Sequence, residues 1–180
     1  MLEVELKVKV PSLNPVREEL RNKGAEFLGR VHEHDIFFNA PDRDFAITDE
    51  AVRIRYTDSR AVVTYKGPKR KEYGLKAREE LNIAVESGEA FATLLLRLGF
   101  RQTLEVNKWR ETYRLGNASV SLDDVEGLGT FAEIEVMAEE GKGDPAAEIA
   151  AIARTIGIRG EPILASYLEL LLAKKAGSRA

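Results

Sequence analysis

Residues 1–10 read MLEVELKVKV, and the strict alternation of this stretch decides how the chain folds. Apolar side chains occupy the even positions, and charged side chains of both signs occupy the odd ones (Glu3, Glu5, Lys7 and Lys9). Because side chains in a β-strand point alternately to two faces, one face of this strand is apolar and the other is charged. A single charged face fits a strand exposed to solvent. If other strands repeat the pattern, their charged faces must share one surface.

The composition indicates a globular protein with a substantial core. The 180 residues are 44% hydrophobic and 32% charged, and 27 basic against 30 acidic residues give a net charge of −3. This length suits a single domain over residues 1–180, and the near balance of charge argues against nucleic-acid binding. The chain has no cysteine, which excludes disulfides and thiolate chemistry. No apolar run approaches the roughly 18 residues of a membrane span, so we expect a cytoplasmic protein without membrane contact.

The remaining sequence predicts seven further strands and four helices. Helices are predicted to begin near Asn14, Ser87, Asp144 and Pro162, where capping residues or proline precede apolar positions at helical spacing. Most strands are joined by connections too short for a parallel crossover, so the sheet should be antiparallel. Eight antiparallel strands can close into a barrel. We therefore predict an α+β fold, a closed eight-stranded antiparallel β-barrel with helices packed on the outside.

Charged rows recur on the other predicted strands. Their members are Arg53, Arg55, Lys66, Arg78, Lys108, Arg110, Asp123, Glu133 and Glu135. The helices must bury their apolar faces against the apolar faces of the strands, which places the helices outside and the charged rows in the barrel lumen. Because unpaired buried charge is costly, such a lumen is better explained by a ligand than by stability.

The two signs of charge in the lumen indicate the chemistry of that ligand. Basic groups suit a polyanion, since guanidinium and ammonium donors match phosphate oxygens. Carboxylates without cysteine suit Mg²⁺ or Mn²⁺. Together they indicate a metal–polyphosphate complex. The basic set comprises Lys7, Lys9, Arg53, Arg55, Lys66, Arg78, Lys108 and Arg110, and the acidic set comprises Glu3, Glu5, Asp123, Glu133 and Glu135.

The motifs resemble those of the CYTH superfamily, the triphosphate tunnel metalloenzymes. The opening EVELK (residues 3–7) is similar to its ExExK motif, and HDIFFNAPDRDF, DEAVRIRY, TYKGPK, KAREE, VNKWRETY, SLDDVEGLGTFAEIEV and SYLELLL follow in order. The resemblance implies a tunnel that binds a triphosphate with divalent metal. It implies catalytic roles for Glu3, Glu5, Lys7 and Glu135, with Glu133 and Asp123 close to the metal.

Within the superfamily, the chain looks most similar to class IV adenylyl cyclases and their archaeal relatives. This resemblance implies conversion of ATP to 3′,5′-cyclic AMP and pyrophosphate. One alternative is a triphosphatase that acts on thiamine triphosphate, nucleotides or tripolyphosphate. A second alternative is a non-catalytic polyphosphate-binding module.

Some features of the sequence stay open. His32 and His34 share a strand face and are interpreted as ordinary strand residues, with a metal-binding pair as the alternative. Lys69, Arg70 and Lys71 form a basic run that fits either a solvated loop or a lid over the ligand. The apolar last helix fits a monomer or a homodimer.

Overall fold

Eight β-strands form a closed antiparallel barrel in the computed structural model, which describes residues 2–58, 60–70, 75–138 and 143–177. The strands are β1 (Leu2–Lys9), β2 (Glu26–Asn39), β3 (Ala51–Thr57), β4 (Arg60–Lys66), β5 (Lys76–Val85), β6 (Arg101–Leu115), β7 (Ala118–Val125) and β8 (Gly129–Ala138). Their order around the barrel is β1-β5-β4-β3-β2-β6-β7-β8, and every neighbouring pair is antiparallel. The predicted barrel is confirmed.

Five helices accompany the barrel in the described part of the chain. They are α1 (Asn14–Asn22), α2 (Phe45–Thr48), α3 (Gly88–Arg97), α4 (Pro145–Thr155) and α5 (Tyr167–Gly177). The short α2 lies in a segment where the sequence predicted no helix. It forms because the Asp44 side chain accepts a hydrogen bond from the Ala46 N–H at its start, and Asp49 ends it at φ 54°. None of these helices has the length and apolarity that a membrane span requires.

The main core lies between the barrel and the helices on its outer surface. The even residues of β1 face outward, and Val4 and Val8 are almost completely buried there. They pack in one cluster with Leu20 of α1 and Ile149 of α4. A second cluster packs Leu95 of α3 against the outer faces of β3 and β4. This arrangement leaves Glu3, Glu5 and Lys7 of β1 facing the lumen.

Helix α5 closes one end of the barrel. Tyr167, at the start of α5, is buried with Phe37, Val106, Val125 and Phe131, which lie near the strand ends on that side. Its ring meets the Phe131 ring edge-on, with 5.1 Å between the centroids. The lumen is therefore apolar at this end and charged along the rest of its length.

Candidate active site

A cavity of about 270 Å³ fills the charged part of the lumen. Alternation along each strand turns the charged rows toward it, and the outer helices cover the opposite faces. The predicted site residues among its walls are Glu3, Glu5, Lys7, Arg53, Arg55, Lys66, Arg78, Lys108, Arg110, Glu133 and Glu135. With Asp35 and Phe37 of β2, residues from seven of the eight strands line this one space.

Three carboxylates cluster on the β1–β8 side of this cavity. Carboxylate oxygens of Glu3, Glu5 and Glu135 lie within 4.8 Å of one another, and we call these residues the carboxylate trio. Antiparallel pairing places Glu5 directly opposite Glu135. Burial, together with the charges of Glu3 and Glu133, raises the pKa of Glu135 to about 8. Such crowding of oxygen donors fits a hard divalent cation, whose charge would offset the repulsion.

Lys7 lies beside the trio and links it to Glu133. Its Nζ is 3.2 Å from Glu5 Oε1 and 3.2 Å from Glu133 Oε1. Burial acts to lower the pKa of Lys7, but the charges of Glu133 and Glu5 outweigh it, so the pKa is raised. The ammonium also lies 4.4 Å from the centroid of the Tyr167 ring. Lys7 therefore stays charged and is held in place on two sides.

Asp123 is not part of the trio, because its carboxylate accepts hydrogen bonds from Arg110 and Tyr167. Arg110 donates from Nε to Oδ1 (2.7 Å) and from Nη2 to Oδ2 (2.5 Å), and it also contacts Glu133. The Tyr167 hydroxyl donates to Asp123 Oδ2 at 2.8 Å. Of the five predicted metal-facing carboxylates, Asp123 and Glu133 thus hold cations, whereas the other three cluster together.

A second acidic pair, Glu33 and Asp35 on β2, balances the opposite wall of the lumen. Asp35 accepts hydrogen bonds from Arg55 at 2.7 Å to each oxygen and from Arg53 at 3.1 Å. Glu33 lies 2.7 Å from Lys108 Nζ and 2.9 Å from Arg55 Nη1. Burial acts to raise the pKa of Asp35, but Arg53 and Arg55 outweigh it and lower the pKa far below its usual range. These carboxylates hold the cations of the lumen in place.

The sequence analysis missed Glu33 and Asp35 as site residues. The signal was present, because both alternate with His32 and His34 and so share the inward face of β2. It was obscured because polar residues occupy both faces of this part of the strand. The analysis also missed Tyr167, whose contacts depend on where α5 docks.

Arg78 and Lys66 complete the basic wall near α5. Arg78 donates from Nε to the Gly67 carbonyl (2.7 Å) and from Nη2 to the Asp49 carbonyl (2.5 Å). Lys66 pairs with Glu80, the residue directly across from it on β5. The carbonyl contacts orient Arg78 and leave its charge only partly offset.

Lys9 is the member of the predicted basic set that the structure does not place in the lumen. It faces the barrel end, is exposed, and has its Nζ 5.8 Å from the Phe131 ring centroid. Lys9 is therefore not among the residues that line the lumen cavity.

Of the residues that the sequence left open, His32, His34, Lys69 and Arg70 lie outside the cavity. His34 Nε2 is 2.8 Å from Glu105 Oε2, and the His32 ring packs edge-on against Trp109. Lys69 Nζ contacts Glu169 of α5 (2.7 Å) and Asp49 (3.2 Å).

Arg70 pairs with Ala77 through the backbone, and Lys71 lies outside the described residues. The described part of the basic run therefore joins the connection between β4 and β5 to α5.

Comparison with known proteins identifies the family. The CYTH domain model matches residues 1–163, which include the carboxylate trio and the basic lumen residues. The chain belongs to the CYTH domain family. A Methanocaldococcus jannaschii protein provisionally named an adenylate cyclase is 40% identical over 173 residues, covering 94% of this chain and 98% of that protein. Adenylate cyclase CyaB of Aeromonas hydrophila is 28% identical over 141 residues, covering 77% of this chain and 70% of that protein.

A solved CYTH-like structure agrees with the fold. The PH1819 protein of Pyrococcus horikoshii superposes with a TM-score of 0.85 at 38% identity, covering 96% of this chain and 99% of that one. The closed barrel is thus shared over almost the full length of both chains.

Proposed function

We propose that this CYTH protein converts ATP to 3′,5′-cyclic AMP and pyrophosphate with the help of a divalent cation. The observation that carries the proposal is the carboxylate trio, which lies in the same closed cavity as the buried cations Lys7, Lys108 and Arg78. An anion would bind such cations, and the clustered oxygens of the trio fit a divalent cation. The two cyclase-named relatives support the choice of reaction.

The proposed metal site consists of Glu3, Glu5 and Glu135. Their oxygens are close enough to share one ion, and burial together with the charge of Glu3 raises the pKa of Glu135. Oxygen-only donors fit Mg²⁺ or Mn²⁺. When bound, the cation supplies Lewis-acid chemistry to the phosphate oxygens.

The cations of the lumen would bind the triphosphate. Phosphate oxygens would take over the hydrogen bonds that Asp35 and Glu33 now accept from Arg53, Arg55 and Lys108. This exchange of one anion for another would keep the guanidinium groups paired. The lumen is therefore prepared for a polyanion before one enters.

The reaction forms a bond from the ribose 3′ oxygen to the α-phosphorus and breaks the bond from that phosphorus to the oxygen that bridges it to the β-phosphorus. The 3′ proton would pass to a lumen carboxylate. Negative charge accumulates on the departing pyrophosphate. Lys7, Arg110 and Lys108 would stabilise that charge from fixed positions.

A triphosphatase is the second candidate. Charged groups dominate the cavity wall and match phosphate oxygens alone, whatever group the triphosphate carries. Attack by water on the γ-phosphorus would use the same cations, with thiamine triphosphate, a nucleotide or tripolyphosphate as the substrate. A non-catalytic polyphosphate-binding module would use them without turnover.

Product analysis separates these functions. The protein would be incubated with Mg²⁺ or Mn²⁺ and, separately, ATP, thiamine triphosphate and tripolyphosphate, and the products followed by phosphorus NMR. Cyclic AMP with pyrophosphate supports the cyclase, and orthophosphate without cyclic AMP shows a triphosphatase instead. Binding without any product indicates the non-catalytic module.

Variants of the trio test the metal site. Glu135→Gln should abolish turnover, and Glu126→Gln, at an exposed position outside the lumen, serves as the matched control. Full activity of Glu135→Gln would overturn the site assignment.

A further inference from the structure

Strand β5 extends beyond the start of β1, the strand that closes the barrel against it. Its first residues pair with β1, and Leu2 lies opposite Glu79 where this pairing ends. From residue 80 to residue 85, β5 pairs only with β4 among the described residues. Residues 81–84 are all exposed. The last part of β5 is therefore an open sheet edge on an otherwise closed barrel.

The backbone of this edge offers hydrogen-bonding groups to a further strand. The Glu79 carbonyl accepts a hydrogen bond from the Gly67 N–H, so the backbone groups of Glu79 point toward the β4 side. Because these directions alternate along an antiparallel strand, the N–H and C=O groups of Asn82 and Ala84 point to the open edge. An unpaired edge of this kind is a template for pairing with another chain.

The side chains of the edge also favour pairing. Leu81, Ile83 and Val85 lie on the outer face of β5, where Leu81 is 55% exposed and Ile83 is 57% exposed. Edge strands are commonly protected from association by a charged side chain or a proline. Residues 81–85 read LNIAV and contain neither. This stretch therefore presents an uncharged and largely apolar edge to solvent.

We propose that this edge pairs with the same edge of a second copy of the chain, antiparallel and around a two-fold axis at Ile83. A two-fold axis satisfies both open edges at once. Because residues 81–85 carry no charge, no like charges face each other within the paired stretch. Ile83 faces Ile83 of the second copy, and Leu81 faces Val85. Asn82 and Ala84 exchange two backbone hydrogen bonds on each side of the axis.

The pairing of β1 with β5 selects this register. An axis at Asn82 puts Val85 of one copy opposite Glu79 of the other, and Leu2 already occupies that position. An axis at Ile83 moves the second copy two residues along the edge and leaves Leu2 in place.

The rim of the pairing carries one contact between like charges. With the axis at Ile83, Glu80 lies opposite Glu86 of the second copy. The charge of Glu80 is already offset by its ion pair with Lys66. The contact therefore limits the pairing to the uncharged stretch without preventing it. The proposal does not depend on the reaction in the lumen, because the apolar contacts lie on the outer face of β5.

Sedimentation equilibrium at protein concentrations up to about 100 µM tests the proposal. Ile83→Lys places two ammonium groups opposite each other at the axis and should weaken the dimer about a hundredfold or more. The exposure of Ile83 means that the fold should tolerate the change, and circular dichroism checks this. Ile47→Lys is the matched control, because Ile47 lies on α2 and is 83% exposed; this variant should dimerise as the wild type does. A monomeric wild type, or an Ile83→Lys variant that dimerises normally, overturns the proposal.

Cysteine cross-linking tests the register separately. The chain has no cysteine, so Ile83→Cys carries a single thiol. At the axis the two Cα atoms of residue 83 lie about 4.5 Å apart, a separation that a disulfide can bridge. Leu81→Cys is the matched control, because its two thiols are separated by about 13 Å along the strands. Mild oxidation at low protein concentration should give a covalent dimer from Ile83→Cys alone. Equal cross-linking of the two variants, or none of either, contradicts the pairing.

Discussion

Glu135 is expected to reduce the stability of the metal-free protein while serving its function, and the Glu135→Gln variant separates the two effects. Its folded-state pKa of about 8 lies above the usual value of 4.5. The folded state therefore binds the Glu135 proton more tightly than the unfolded state does. As the pH rises from 4.5 to 8, stability is lost progressively, and above pH 8 the loss is complete. Glutamine has no proton to lose, so the variant should escape this loss.

The magnitude follows from the size of the pKa rise. A rise of about 3.5 pH units corresponds to an upper limit of about 5 kcal/mol at about 1.4 kcal/mol per unit. Neighbouring carboxylates of the trio share the repulsion, so about 1–3 kcal/mol is the expected gain for removing one charge. Glu135→Gln should therefore be more stable than the wild type at pH 9 and about equally stable at pH 4.5.

Urea unfolding in the presence of EDTA, followed by circular dichroism, measures this difference. The exposed Glu126→Gln should match the wild type at both pH values. Mg²⁺ added at pH 9 should raise the urea midpoint of the wild type more than that of Glu135→Gln, because the cation offsets the repulsion that the variant already lacks. The reasoning is refuted if Glu135→Gln is less stable than the wild type at pH 9, or if the difference between them does not depend on pH.

Three further substitutions probe the lumen. Tyr167→Phe removes the hydroxyl that donates to Asp123, and thermal unfolding should show a loss of about 1 kcal/mol; an unchanged Tm would mean that the bond contributes nothing. Asp35→Asn removes the carboxylate that accepts from Arg55 and Arg53, so the free energy of unfolding without ligand should fall by about 3–5 kcal/mol. Tripolyphosphate should raise the Tm of this variant more than that of the wild type. A smaller ligand effect in the variant would argue against the exchange of anions. Lys9→Ala should leave the Kd of tripolyphosphate unchanged in calorimetry, since Lys9 is exposed, and a clear loss of affinity would return it to the site.

The barrel could be predicted because each strand shows its alternating pattern within a short stretch of sequence. A period of two fixes which side chains share a face, and β1 shows it without exception from Glu3 to Lys9. Short connections then force neighbouring strands to be antiparallel. The extra helix α2 was missed because four residues are too few for a periodic pattern, and its only signal was the capping Asp44.

The candidate site was predictable where charge alternates with apolar residues and not where both faces are polar. Arg53 and Arg55 stand out because Val52 and Ile54 separate them. In β2 the inward Glu33 alternates with His32 and His34, so no contrast between polar and apolar residues shows which face points into the lumen. The family resemblance already set Glu3, Glu5 and Glu135 apart from Glu133 and Asp123, but it did not predict that the latter two hold Arg110.

The sequence by itself determined the barrel and the charged lumen and predicted the chemistry of its ligand, because side-chain direction in a strand is a local property. Only the tertiary structure decided which charges pair. Asp123 meets Tyr167 across 44 positions of sequence, and Glu5 meets Glu135 through the register of β1 on β8. It also decided that α5 seals one end of the barrel. These outcomes depend on how distant elements pack, and no local pattern in the chain encodes that packing.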